Sequence, residues 1–204
     1  MKLSRTPQLL IPALLAALLL AACASSGGHR PTSQLSPKLT PFTYYNEGDL
    51  LFIGADTRAA QYIRDETIFP LGVALVNKTL RPMTISRESF LLEDETGKRY
   101  PLVSHQEYRA SYHRSKTDER LADTFVEAIR GRFINFSYRE LRMFPPSSRL
   151  RTTSTSEVEV QRREMVMGYL YFPIPEGGLH KRDLKLLLRV EERPETFVVR
   201  FSVR

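Results

Sequence analysis

The stretch Glu107-Tyr108-Arg109-Ala110-Ser111-Tyr112-His113-Arg114-Ser115-Lys116 interleaves aromatic and cationic side chains and is the chain's most interesting polar-aromatic segment. Rings such as Tyr108 and Tyr112 stack on sugar faces or peptides, while guanidinium groups such as Arg109 and Arg114 hold acidic groups. These four residues form the candidate partner-binding set. The alternative is an irregular approach to a helix, with tyrosine and arginine stems lying along the surface and only their polar tips in water.

Other groupings offer less. Met165 and Met167 point the same way on a strand, and soft thioethers suit copper(I). Their neighbours Val166, Tyr169 and Leu170 fit core packing equally well, since methionine fills irregular gaps. The histidines are His29, His105, His113 and His180, and no His-Glu-x-x-His or Cys-His cluster accompanies them. Gly-x-Ser-x-Gly, an activated cysteine with a histidine partner, and the glycine-rich phosphate and dinucleotide loops are all missing. Glu93 and Asp94 read as a solvated turn rather than a pair of acid–base catalysts. The expectation is a non-catalytic chain with no cofactor.

The only cysteine, Cys23, closes an apolar run from Leu9 to Ala22 that is interrupted by Pro12 and preceded by Lys2 and Arg5. Charged start and apolar centre match a signal peptide, and the run is too short to span a bilayer as a helix. Leu20-Ala21-Ala22-Cys23 resembles the lipobox of bacterial lipoproteins, in which the signal peptidase cuts before the cysteine. That resemblance implies removal of residues 1–22, a diacylglycerol thioether on Cys23 and acylation of its new amino group. Each buried methylene contributes about 0.8 kcal/mol, so several acyl chains anchor stably. Ala24 stands where an aspartate would favour the inner membrane in enteric lipoproteins, so the implied address is the outer membrane, facing the periplasm. Residues 24–41 are rich in Ser, Gly, Pro and Thr and read, with Cys23, as a flexible tether over 23–41.

The 30 basic and 23 acidic residues leave a formal charge of +7, without a long block of one sign. That describes a mixed-charge surface, and neither composition nor motifs point to nucleic acid. Residues 42–204 suffice for one domain with its own core. Phe69 to Asn77 and Met165 to Phe172 are apolar on both alternating faces and predict central strands covered on both sides. Thr84 to Asp94 and Arg99 to Val103 predict a strand pair around a Gly97 turn. Alternation over 157–161, 184–190 and 197–203 predicts half-buried strands. Leu121, Phe125, Ala128 and Ile129 recur at helical spacing and predict one helix near 116–130. Ser115 and Asp118 resemble its capping box and Gly131 its stop.

Short strands with turn signals between them predict a mainly β antiparallel sandwich with one inserted helix. Residues 68–103, with an apolar strand ending in Asn77 and then Asp94-x-x-Gly97-x-x-Tyr100, resemble immunoglobulin-like domains of bacterial lipoproteins. Residues 157–203, with Gly168, Phe172-Pro173 and the leucine-rich strand, extend that resemblance. It implies a membrane-anchored domain that binds a protein or envelope partner. Binding of a small ligand or of copper is the alternative.

Overall fold

The computed structural model describes residues 34–145 and 154–203. The predicted signal peptide, Cys23, His29 and most of the tether lie outside them. The folded unit begins at Leu35, earlier than the expected boundary at residue 42. The Ser36 main-chain N–H donates to the Arg200 carbonyl, and the Arg200 N–H returns a bond to the Ser36 hydroxyl, both at 2.9 Å.

The strands are β1 (Thr43–Glu47), β2 (Leu51–Asp56), β3 (Ile68–Asn77), β4 (Met83–Ser86), β5 (Phe90–Glu93) and β6 (Arg99–Pro101). They are followed by helices α1 (His105–Ser111) and α2 (Ser115–Arg132) and strand β7 (Ser137–Glu140). Strands β8 (Glu157–Val160), β9 (Glu164–Pro173), β10 (Asp183–Arg189) and β11 (Thr196–Ser202) complete the chain. One sheet runs β1-β2-β3-β9-β7, a second β11-β10-β5-β6, and β4 pairs with β8 alone. The mainly β, sandwich-like architecture is as expected, with four additions: β1, β2, α1, and β7, which runs parallel to β9.

Alternation explains the layers. One face of the first sheet, with Ile53, Phe69, Leu71, Leu75, Leu170 and Phe172, shares a core with Phe90, Leu186, Leu188 and Phe201 of the second. The other face, with Phe52, Ala74, Val76, Met165 and Met167, packs under Phe125 and Ile129 of α2 and Phe133 just past its end. Residues on β3 and β9 are thus buried on both sides because a sandwich partner covers one face and a helix the other. This also settles the two methionines: they are core, 2% and 1% exposed.

The segment read as one strand from Thr84 to Asp94 is two. A 3-10 turn at Arg87–Ser89 separates β4 from β5, with Ser86 and Ser89 capping each other. The break lets the chain leave the β4–β8 ribbon and enter the second sheet. At the next turn Asp94 is buried rather than solvated. Its carboxylate accepts from the Thr96 N–H and hydroxyl, the Lys98 N–H and the Tyr100 hydroxyl at 2.6–3.1 Å. Those donors, the Thr96 hydroxyl foremost, hold the Asp94 carboxyl down at about 2. Gly97 takes a positive φ of 87° that a side chain would strain. Asp94→Ala is therefore expected to lose about 2–4 kcal/mol, since it strands a buried tyrosine hydroxyl and unpins the turn. Urea unfolding measures this, and a loss below about 1 kcal/mol would mean that the turn holds itself without the carboxylate.

Candidate functional site

A recess lies where the amino-terminal half of α2 crosses the β7–β9 edge, a cavity of about 260 Å³. Its inner wall is Tyr108 from α1, Tyr169 and Tyr171 from β9, and Phe144 from the segment after β7. The rings form a connected cluster: Tyr108 and Tyr171 have centroids 4.6 Å apart, Phe144 and Tyr171 4.9 Å, and Tyr112 and Tyr171 4.8 Å. Glu119, Ala122 and Asp123 of α2 form one side of the mouth, and Tyr138, Glu140 and Arg142 the other.

Two local features place these groups. Gly168 on β9 lets the chain pass close by, because a Cβ there would lie 2.1 Å from the Leu141 carbonyl oxygen. Arg87, from the 3-10 turn, donates to the carbonyls of Met143 at 2.7 Å and Val103 at 2.6 Å. Its guanidinium also lies 4.4 Å from the Phe144 ring centroid. The half-buried His105 Nε2 approaches the same Met143 carbonyl, at 2.9 Å, and the Arg87 guanidinium, at 3.1 Å. A single side chain thus ties the Phe144 wall to the start of α1.

Behind the wall sits Asp118, fully buried. The Tyr112 hydroxyl donates to its Oδ2 at 2.5 Å and the Tyr171 hydroxyl at 3.2 Å, while Oδ1 has no hydrogen-bond partner among the described residues. Burial pushes the Asp118 carboxyl up to about 6, against the pull of the two hydroxyls and of Arg114. Burial, with the neighbouring carboxylate, also pushes both phenols up. Asp118 is therefore not the helix cap that its spacing from Ser115 implies. The position preceding α2 is Arg114, without a side-chain cap, and Asp118 turns inward instead.

The four candidate binding residues have separate fates. Tyr108 and Tyr112 are 5% and 4% exposed, so they form no open recognition patch. Tyr108 lines the cavity, and Tyr112 supports it through Asp118. Arg114 pairs with Glu66 at 3.0 Å and also reaches the Tyr62 carbonyl, which fixes α2 to the segment before β3. Arg109 alone of the four is exposed. Burial followed from a helical turn the sequence reading lacked: with residues 105–111 in α1, Tyr108 and Tyr112 share its inner side. The Ser104 hydroxyl, which accepts from the Glu107 N–H at 3.1 Å, was the available start signal. Glu119, Asp123, Tyr138 and Tyr171 carried no local motif.

No protein-family model matches the sequence, and no match to a curated protein was found. Among solved structures, the chain is similar to a Bacillus subtilis protein, ycdA, provisionally named as a lipoprotein. The TM-score is 0.42 at 10% identity, over 78% of this chain and 38% of the other. The chain thus spans well under half of that relative's length, and likeness at this level assigns neither family nor function.

Proposed function

We propose that the chain is a lipoprotein anchored through acylated Cys23 in the outer membrane, facing the periplasm. Its sandwich domain binds a protein or envelope partner without catalysis. The aromatic cavity between α2 and the β7–β9 edge carries this reading: a recess with a rigid ring wall and a charged mouth suits an inserted group. At about 260 Å³ it falls just below the range of about 300–1,000 Å³ typical of small-molecule pockets. That size favours one projecting group of a larger partner over a free drug-sized ligand. The adjoining β7 edge adds a surface: all four of its residues are exposed, and the Tyr138 and Glu140 main chains make no outward hydrogen bond to another described residue. Copper has lost its support, since Met165 and Met167 are enclosed.

The test is a crosslinking pull-down from native bacterial membranes, with fractionation, of wild type, Cys23→Ser and Ala122→Trp. The last variant fills the cavity from its half-buried rim. Wild type is expected in the outer membrane with an envelope protein captured, and each variant is expected to lose at least tenfold of that capture. Fractionation of Cys23→Ser like wild type overturns the anchor. Undiminished capture by Ala122→Trp removes the cavity from partner binding.

A further inference from the structure

We infer that one end of the domain docks on an anionic phospholipid bilayer; the inference rests on the Cys23 anchor proposed above. This end holds the β3–β4 loop (78–82), the α2–β7 link (133–136) and the turn before β9 (161–163). Leu80 and Ile134, at 78% and 82%, are the two most exposed large hydrophobic side chains among the described residues. Their loops are joined through Arg163, whose N–H donates to the Asn77 carbonyl and whose carbonyl accepts from the Ser137 N–H, both at 3.0 Å. The Asn77 side chain pins the Leu80 loop, accepting from the Thr79 N–H at 2.9 Å and donating to the Arg81 carbonyl at 2.8 Å. Aliphatic tips on braced loops insert at the boundary between headgroups and acyl chains, and nearby cations add attraction to anionic lipid.

The path of the chain selects a bilayer. Lys38 bridges Tyr44 in antiparallel fashion, and the Tyr45 N–H donates to the Pro37 carbonyl at 2.9 Å. Followed back from Lys38, the chain therefore runs beside β1 toward Glu47, which Lys78 and Arg132 hold at 3.2 and 2.5 Å. Leu35 thus arrives at the end that carries Leu80 and Ile134, twelve residues after Cys23. A flexible link of that length spans about 20 Å on average, whereas the opposite end lies about 33 Å farther away along the ten residues of β3. Charge then selects anionic lipid. Arg81 and Arg162 are exposed and pair with no carboxylate among the described residues. Arg130 and Arg132, in the last turn of α2, outweigh the roughly half negative charge of that helix end. Of the acids on this side, Glu47 is already paired, and Asp49 and Glu127 are outnumbered by the arginines. Glu191, Glu192 and Glu195 lie on the β10–β11 turn, in the layer of the second sheet. Residues 1–33 and 146–153 contain no carboxylate side chain and so cannot reverse the sign.

Acylated Cys23 leaves the lipidated chain without a thiol, so Leu80→Cys, Ile134→Cys and Tyr62→Cys each introduce one site for a fluorescent dye. Tyr62, 55% exposed, marks the opposite end, between β2 and β3. In vesicles of phosphatidylethanolamine and phosphatidylglycerol doped with nitroxide lipid, dyes at 80 and 134 are expected to be quenched at least fivefold more than at 62. Replacing phosphatidylglycerol by phosphatidylcholine, or adding Arg81→Glu with Arg162→Glu, is expected to cut that quenching at least threefold. Equal quenching at all three positions, none at 80 and 134, or quenching indifferent to either change overturns the bilayer assignment while the anchor stands. Shielding of 80 and 134 in native membranes but not in vesicles gives this end to a protein partner and overturns the assignment too. Wild type that takes up dye at Cys23 overturns the anchor and this inference together.

Discussion

Between pH 4 and pH 7 the Asp118→Asn variant is expected to improve by about 2.4 kcal/mol relative to wild type, most of the roughly 3 kcal/mol that is the full linkage equivalent of a carboxyl moved from 3.8 to about 6. The sign follows from proton counting. Below about pH 4 Asp118 is protonated in both states and costs nothing. As the pH rises toward 6, the unfolded chain releases this proton while the folded chain still holds it, so wild-type stability falls. Above 6 both are ionised and the penalty is fully present. Asparagine keeps an acceptor for Tyr112 and Tyr171, and any constant cost of its amide cancels from the slope. Arg114, which favours the charged form, and Glu119, which opposes it, act within the same value. Urea unfolding of both proteins at unit steps from pH 4 to 7 supplies the difference. A flat difference would show that Asp118 ionises as freely as a surface carboxylate. The functional meaning is that the fold tolerates a destabilising charge beside an aromatic recess, and such groups concentrate at working sites.

The second large effect belongs to Gly168→Ala, expected to cost about 3–5 kcal/mol, in the range of severe overpacking with loss of a strand contact. The added methyl would meet the Leu141 carbonyl carbon at 3.1 Å as well as its oxygen at 2.1 Å. Leu141 cannot retreat, because its N–H donates to the Met167 carbonyl at 2.7 Å and continues the parallel pairing of β7 with β9. Relief must therefore push out β7 and the Leu141–Phe144 wall, opening the cavity. Thermal unfolding measures the loss, and hydrogen exchange at the Leu141 amide locates it. Gly131→Ala is the matched control: nothing lies within 4 Å of the added carbon, and the residue is inside α2 rather than beyond its end. It is expected to gain up to about 1 kcal/mol from better helix propensity. A Gly168→Ala protein as stable as wild type would sink the close approach of Leu141 and the edge built on it.

Strand periods and the long helix were legible because each reports a local repeat. Alternation over 184–190 and 197–203 became β10 and β11, and the double-faced run 69–77 became β3. Helical spacing of Leu121, Phe125 and Ile129 became α2, extended by one or two residues at each end. The 3-10 break at Arg87–Ser89 was not legible because its polar run, Ser86 to Ser89, holds no glycine or proline to mark a turn. Strand β7 was not legible either: all four of its residues are exposed, so no apolar repeat marks it.

By itself the sequence determined the antiparallel, mainly β class, the two doubly covered strands, the major helix and the resemblance of Leu20-Ala21-Ala22-Cys23 to a lipobox. Only the tertiary structure decided that Tyr108 and Tyr112 face inward, that Asp118 is a buried acceptor instead of a cap, and that carboxylates from α2 and β7 face each other across a ring-lined cavity. The physical reason is range. Periodicity and caps act between residues a few positions apart, whereas the cavity exists because Gly168 admits the Leu141 backbone and Arg87 ties down Met143 and Val103. Contacts of that kind join segments remote in sequence, and their chemistry appears only once the chain has closed on itself.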